Sequence, residues 1–488
     1  MKKVLFSHSY FLRFDPKQWK LQQAYPPLAT IFAAAQIRKA GYEVDLFDTM
    51  FASDPSLVEK RFEEFVPDYF VIYDDGFNYL TKMCLTNMRE AAIRMIRIAR
   101  SKGIKVILSG SDSTDHPEIY LQAGADFIIY GEGEITLEEL LKKCSAEEAA
   151  LENINGLIFR SNGKIIRTAK REVMKDLDRL SSPAWDLINI DEYKNRWLKH
   201  HGYFSLNIST TRGCPFHCNW CAKPIYGNRY SVHSPGRIAE ELLFLNKNFG
   251  ATHFWMTDDI FGLKPGWIQE FSTVVNSMNA KFSYNIQSRV DLLLKENTIE
   301  ALAASGCEKV WMGAESGSQK ILDAMDKGTS VEQIHAATRL LKKSGIKPAF
   351  FLQFGYPGEM KEDIDKTLDM LIELMPDDIG ISVSYPLPGT KFYEKVKNEL
   401  DLKANWTDSD ELAMMFHNTY PARYYKFLQR FIHRKYRTKQ GLSEISKLLK
   451  QPGLTSFSSL RRIVSVPFHF GGSIYYKNKM NKLLDTAS

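Results

Sequence analysis

Thr210-Thr-Arg-Gly-Cys214-Pro-Phe-His-Cys218-Asn-Trp-Cys221 places three thiols within eight residues of a 488-residue chain that has six cysteines in all. That density points to metal ligation rather than packing, because thiolates select soft metals and closely spaced cysteines hold zinc or an iron-sulfur cluster. The fourth ligand separates these two. A closed zinc site needs a second pair of Cys or His at suitable spacing, and Cys84, Cys144 and Cys307 stand apart from one another. His217 lies inside the run but directly precedes Cys218, so the two would have to share one ion in a tight loop. A cluster with three protein ligands keeps one iron open, where a substrate or cofactor can bind.

Working outward, the run follows a strand-like Phe204-Ser-Leu-Asn-Ile-Ser-Thr, and the pattern predicts further strands near 252–257, 283–288, 308–313, 348–353 and 380–384, each followed by a helical stretch. With the strand at 205–210 this makes six strand-helix units, too few for a closed eightfold barrel. Upstream, strands are expected at 2–7, 43–48, 69–73, 105–110 and 126–130, with helices at 26–41, 88–102 and 117–123 between them. The first of these helices starts on proline and ends on glycine, as helix punctuation requires. Short connections between alternating elements argue an α/β fold with a doubly wound parallel sheet over residues 1–145. Residues 146–200 read as a connector with a hairpin at Gly156–Arg167 around an Asn-Gly turn. The barrel unit spans 201–400, and a helical C-terminal region spans 401–488. Within it, Trp406, Met414, Met415, Phe416, Tyr420, Tyr424 and Tyr425 are expected to form helical packing over the barrel mouth.

Hydrophobic content of 44% and charged content of 25% are ordinary for a globular chain. No apolar run reaches the roughly 18 residues of a membrane-spanning helix, and Met1-Lys-Lys-Val-Leu-Phe enters a strand without a signal-peptide pattern. Few cysteines, half of them clustered, suit the reducing cytoplasm in which an oxygen-sensitive cluster survives. The net charge of +6 hides an asymmetry: residues 421–488 hold 14 Lys and Arg against 2 Asp and Glu, a local +12 that leaves −6 for the rest. Arg434-Lys-Tyr-Arg-Thr-Lys and Arg461-Arg-Ile-Val-Ser-Val-Pro-Phe mix this charge with apolar residues, which suits either peripheral contact with anionic lipid or a solvated helix face. No RNA-binding module accompanies them, so nucleic acid is the weaker partner.

The spacing Cys-x3-Cys-x2-Cys after a strand resembles the signature of radical S-adenosylmethionine (SAM) enzymes. The resemblance implies a 4Fe-4S cluster on Cys214, Cys218 and Cys221, with SAM chelated at the open iron and cleaved to a 5'-deoxyadenosyl radical by one electron from a donor such as flavodoxin or ferredoxin. It implies the open (β/α)6 partial barrel and SAM contacts at its strand ends: Trp220 on the adenine, Asp259, Arg289, Glu315 and Ser316 of Gly313-Ala-Glu-Ser-Gly, Gly355 of Gly-Tyr-Pro-Gly-Glu359, and Tyr385 of Tyr-Pro-Leu-Pro-Gly-Thr390. A carboxylate such as Glu315 can accept two hydrogen bonds from a ribose diol. The other reading of Glu315, Arg289 and Asp259 is a salt-bridge network at a barrel mouth.

Pro26-Pro-Leu before a helix, Gly41-Tyr-Glu-Val44 and Gly131-Glu-Gly-Glu134 resemble the cobalamin-binding domain fused to many of these enzymes. Ligands of such sheets lie beyond the carboxyl ends of the strands, so the resemblance implies cobalamin contacts at Gly110, Ser111, Tyr130, Gly131, Glu132 and Gly133. The chain lacks the Asp-x-His-x-x-Gly loop that ligates cobalt from below, and His8 and His116 lack that context. Cobalamin is therefore expected without a protein imidazole. The implied reaction is methylation, from methylcobalamin, of an unactivated carbon in a small molecule or lipid. The rivals are radical cyclisation or rearrangement with the same cofactors, and a non-enzymatic cobalamin or cluster sensor whose tail binds a polyanion.

Overall fold

The computed structural model describes residues 1–488 apart from 83–84, 147–149, 224, 279, 404, 451–456 and 486–488, so Cys84 lies outside the described residues. Its first sheet has the order β2-β1-β3-β4-β5-β6-β7. The strands are β1 Lys3–Ser7, β2 Glu43–Phe47, β3 Tyr69–Tyr73, β4 Lys105–Ser109, β5 Phe127–Ile129, β6 Leu157–Ser161 and β7 Lys164–Arg167. The first five pair in parallel, and alternate residues feed two cores, as pleating dictates. Leu5, Phe70, Ile72, Val106 and Leu108 face helices Val58–Phe65, Thr86–Ser101 and Pro117–Ala123. Val4, Phe6, Val71, Tyr73 and Ile107 face helix Leu28–Lys39 and share one continuous core with the second sheet. The expected hairpin forms, and β6 pairs antiparallel with β5, so this part of the connector extends the first sheet and covers its edge.

In the second half, β8 Ser205–Ile208 leads into a short antiparallel ribbon, β9 Thr211–Arg212 with β10 Ser231–Val232, which closes the base of the cysteine-bearing loop. Then come β11 His253–Met256, β12 Ser283–Ser288, β13 Cys307–Glu315, β14 Lys347–Phe354 and β15 Asp378–Val383. The order β15-β14-β13-β12-β11-β8 keeps sequence neighbours adjacent, all parallel, and leaves the barrel open, as six units require. Helices on its outside start on defined caps. Ser234 accepts from the Arg237 amide ahead of Pro235–Phe249, and Ser330 and Gln333 form a capping box on Val331–Lys343.

The aromatic and methionine passage differs from expectation. Trp406, Met414, Met415, Phe416 and Tyr420 lie in irregular chain, and the helix that contains Tyr424 and Tyr425 begins only at Ala422, running to Lys450. The passage is drawn out because its polar groups are taken up by both halves of the molecule. Trp406 O accepts from the Thr86 amide at 2.9 Å, Ser409 Oγ donates to Asp15 Oδ1 at 2.8 Å, and Asn418 Nδ2 donates to Gly355 O at 2.6 Å. Pro421 then disfavours helix in the residue before it. Two further helices, Phe457–Val464 and Val466–Asp485, follow. Among the described residues no helix is long and apolar enough to cross a membrane.

Candidate active site

The cysteine loop is held from several sides. At its base, Asp258 at the end of β11 accepts from the amides of Thr210 and Thr211, both at 2.7 Å, and from the Thr210 hydroxyl. Burial pushes its carboxyl up to about 7 against those bonds. Asn219, between the second and third cysteines, uses all its polar groups on the barrel. Its amide donates to Met325 O at 3.0 Å, Nδ2 to Ala324 O at 2.7 Å, Oδ1 accepts from Tyr356 Oη at 3.0 Å, and its carbonyl accepts from the Phe392 amide at 3.0 Å. Arg289, after β12, lies 3.7 Å from the centroid of Phe216 and points Nη1 at Cys218 Sγ, 3.8 Å away. Cys214 is buried, Cys218 and Cys221 are half-buried, and His217 is exposed. Burial pushes the Cys221 thiol up to about 12, with the exposed Asp259 carboxylate adding to it.

Beside the loop, the end of β13 turns sharply. Glu315 sits at φ +57° next to a register shift between Gly313 and Glu315, a strained position of the kind that collects at functional sites. Its Oε1 meets Lys327 Nζ at 2.7 Å, both side chains buried. Lys327 Nζ is 6.0 Å from the Trp220 ring centroid, and Lys327 O accepts from Arg289 Nη2 at 2.9 Å. Trp220, Arg289 and Glu315 are thereby brought together with Lys327, which the sequence reading missed because it follows no motif and arrives from the turn after helix Gln319–Ala324. The indole N–H of Trp220 is buried with no partner among the described residues.

The other expected SAM residues are placed differently. Ser316 is buried below the mouth, its hydroxyl 3.1 Å from Thr367 Oγ1 and accepting from the Ser318 amide at 3.1 Å, so it has only backbone to offer a nucleoside. Gly355 lies at φ +77° after β14, where a Cβ would meet Met414 Cε at 2.8 Å. Its amide donates to Glu359 Oε2 at 2.6 Å. Tyr385 Oη donates to Asn405 Oδ1 at 2.9 Å, and its ring packs on Trp406.

At the carboxyl edge of the first sheet, the loops after β3, β4 and β5 meet. A Cβ on Gly110 would lie 2.8 Å from Asp74 Oδ2, and one on Gly133 would lie 2.7 Å from Tyr73 Oη. Gly131 approaches Ile225 of the cysteine-bearing loop, Ser111 is buried at the start of a short helix, and Tyr130 donates its hydroxyl to Thr168 O. The Glu132 carboxylate at this edge is taken up by the protein itself. Its Oε1 takes Arg212 Nη1 at 2.7 Å, and Oε2 takes the Met174 amide at 2.6 Å. Glu134 Oε1 takes the other Arg212 nitrogen, Nη2, at 2.7 Å. Arg212, two residues before Cys214, is buried among Phe32, Phe77 and Tyr226 and ties this edge to the base of the cysteine loop. His8 Nε2 lies 2.9 Å from Asp48 Oδ1, and its Nδ1 lies 3.0 Å from Thr49 Oγ1. His116 Nε2 stands 4.0 Å from Asp112.

The residues fit the cofactors that the resemblance implies. Among the described residues no three His, Cys, Asp or Glu side chains are arranged to close around one metal ion. The thiols of Cys214, Cys218 and Cys221 lie near enough to act on one another electrostatically, as donors to one cluster must. The glycine-lined edge suits a broad macrocycle approached by backbone.

Comparison with known proteins agrees. Residues 208–371 match the Radical SAM superfamily, and residues 20–141 match the B12 binding domain. The chain is 28% identical over 405 residues to an uncharacterized methyltransferase of Pyrococcus horikoshii, covering 81% of this chain and 84% of that one. It is 25% identical over 392 residues to the anaerobic magnesium-protoporphyrin IX monomethyl ester cyclase of Cereibacter sphaeroides, covering 78% of this chain and 61% of the relative. The fold is similar to that of the cobalamin-dependent S-adenosylmethionine radical enzyme OxsB, with a TM-score of 0.75 at 16% identity, over 98% of this chain and 72% of that one. With a B12 binding domain ahead of a radical SAM barrel, the chain belongs to the cobalamin-dependent radical SAM enzymes and uses a 4Fe-4S cluster, SAM and cobalamin.

Proposed function

We propose that this enzyme methylates an unactivated carbon of a small molecule or lipid, with electrons supplied by a one-electron donor such as flavodoxin or ferredoxin. The observation that carries the reading is the junction at Arg212, which joins the glycine-lined edge of the first sheet to the base of the cysteine loop through paired bonds of 2.7 Å to Glu132 and Glu134. When bound, the cofactors supply a 5'-deoxyadenosyl radical to remove hydrogen and a methyl group to replace it. The chain's own part is positioning and exclusion of water. Cys214, Cys218 and Cys221 hold the cluster, while Arg289 and Asn219 fix the loop that carries them. Glu315 accepts from the ribose hydroxyls beside the Lys327 ammonium, with Trp220 on the adenine. Gly355, Tyr385 and the backbone at Ser316 complete the nucleoside cradle, and Asp259 borders it. Gly110, Ser111, Tyr130, Gly131 and Gly133 line the cobalamin side, with Glu132 contributing through its backbone.

A second reading, radical cyclisation, is favoured by the 25% identity to a cyclase. Anaerobic reconstitution with iron, sulfide and hydroxocobalamin, followed by reductant, SAM and product analysis, separates the two. Methylation yields S-adenosylhomocysteine with 5'-deoxyadenosine, whereas cyclisation yields the nucleoside alone. Replacing the three cysteines by alanine should abolish 5'-deoxyadenosine, and its persistence would refute the cluster assignment.

A further inference from the structure

The last helices carry a face that neither cofactor explains. Helix Val466–Asp485 lies back along Ala422–Lys450 with its inner side filled. Val466 sits where a Cβ on Gly441 would be only 2.3 Å away, Gly472 approaches Arg434, and Met480 is buried. The outer side presents Leu460, Val464, Phe468, Phe470, Ile474 and Tyr475 to solvent, with Val464 79% and Phe468 66% exposed. Helical bonds from Ser465 N to Arg461 O and from His469 N to Ser465 O carry the turn across the junction of the two helices. Leu460, Val464, Phe468 and Tyr475, at steps of four and seven residues, therefore form one continuous stripe. Exposed Arg461, Arg462, Lys477, Lys479 and Lys482 flank it, and residues 457–484 contain no Asp or Glu. The Arg434 guanidinium stacks 4.0 Å from the Phe468 centroid.

We propose that this face docks on an anionic lipid surface, its apolar stripe entering the headgroup boundary and its cations meeting lipid phosphates. Charge decides for this occupant. Residues 421–488 carry +12 while the rest of the chain carries −6, so an anionic surface attracts the tail and repels the remainder, which sets the orientation. A second copy brings the same cations and is opposed by like charge. Nucleic acid matches the cations but leaves Leu460, Val464 and Ile474 without a partner. The inference is independent of the reaction proposed above.

The test mixes the full reconstituted chain with vesicles of phosphatidylglycerol and phosphatidylcholine, or of phosphatidylcholine alone, and sediments them. Binding to the anionic vesicles is expected to be at least about tenfold stronger and to weaken with salt. The triple variant Val464→Ser, Phe468→Ser, Tyr475→Ser should lose about tenfold in that binding, with circular dichroism and iron content unchanged because the side chains are exposed. Lys477→Gln, Lys479→Gln, Lys482→Gln should lose the preference for anionic lipid. The proposal is overturned by no binding to anionic vesicles, by binding that both variants leave unchanged, by a dimer in sedimentation velocity that the serine variant converts to monomer, or by RNA binding without vesicle binding.

Discussion

The parallel strands of the two sheets end in polar loops whose charged side chains are placed differently. At the mouth of the barrel, charged side chains converge: Arg289 on Cys218, and Lys327 on Glu315 beside Trp220. At the edge of the first sheet, charged side chains are engaged with one another: Asp112 with Arg89 and Tyr120, His8 with Asp48, and Glu132 and Glu134 with Arg212. Gly110, Gly131 and Gly133 sit there buried against Asp74, Ile225 and Tyr73. A nucleoside with a diol is recognised by side-chain charge, whereas the charges at the first sheet's edge lock two domains together.

The largest effect is expected where this contrast is most easily broken. Arg212→Met leaves two carboxylates buried without a cation and should cost about 3–5 kcal/mol of stability by urea unfolding. Adding Glu132→Gln and Glu134→Gln should restore most of it. A loss under about 1 kcal/mol would show that the junction does not depend on the ion triad.

Next comes Glu359, behind Gly355. Burial pushes its carboxyl up to about 8 against the bond from the Gly355 amide, and its Oε1 has no partner among the described residues. An unfolded glutamate ionises near about 4.3. Between the two values the native state keeps a proton that the unfolded chain has released, so this group's contribution is complete below about pH 4 and lost as pH rises through 8. Unfolding at pH 5 and pH 8 should show the parent losing on the order of 3–4 kcal/mol that Glu359→Gln retains. Equal pH dependence in both would place the titration elsewhere.

Glu315→Gln sharpens the contrast from the barrel side, lowering SAM affinity about tenfold to hundredfold in equilibrium dialysis of the reconstituted protein. Unchanged affinity would leave Glu315 as the counter-ion of Lys327 alone. The smallest effect belongs to Ser316→Ala, which loses bonds to Thr367 and Ser318 for about 1 kcal/mol. It should leave SAM affinity unchanged, and a clear affinity loss would return Ser316 to the nucleoside contacts.

The sequence was most legible where a pattern is local. Strands β1 to β5 and the six barrel strands follow from short apolar runs between helical periods, and the three cysteines from their spacing alone. The aromatic passage misled because burial at Trp406 and Met414 to Phe416 looks the same in sequence whether a helix or drawn-out chain provides it. Lys327 and Asn219 carried no recognisable spacing. Their roles depend on which turn folds back onto which loop.

The chain's amino-acid order by itself determined that a soft-metal site follows the first strand of an open barrel, that a doubly wound sheet precedes it, and that positive charge collects at the end. Only the tertiary structure decided that Glu132 faces Arg212, that Glu315 faces Lys327, and that the hairpin joins the first sheet. The reason is physical: periodicity and ligand spacing are properties of neighbours along the chain, whereas the partner of a buried charge is chosen by long-range packing that brings distant loops within hydrogen-bond reach.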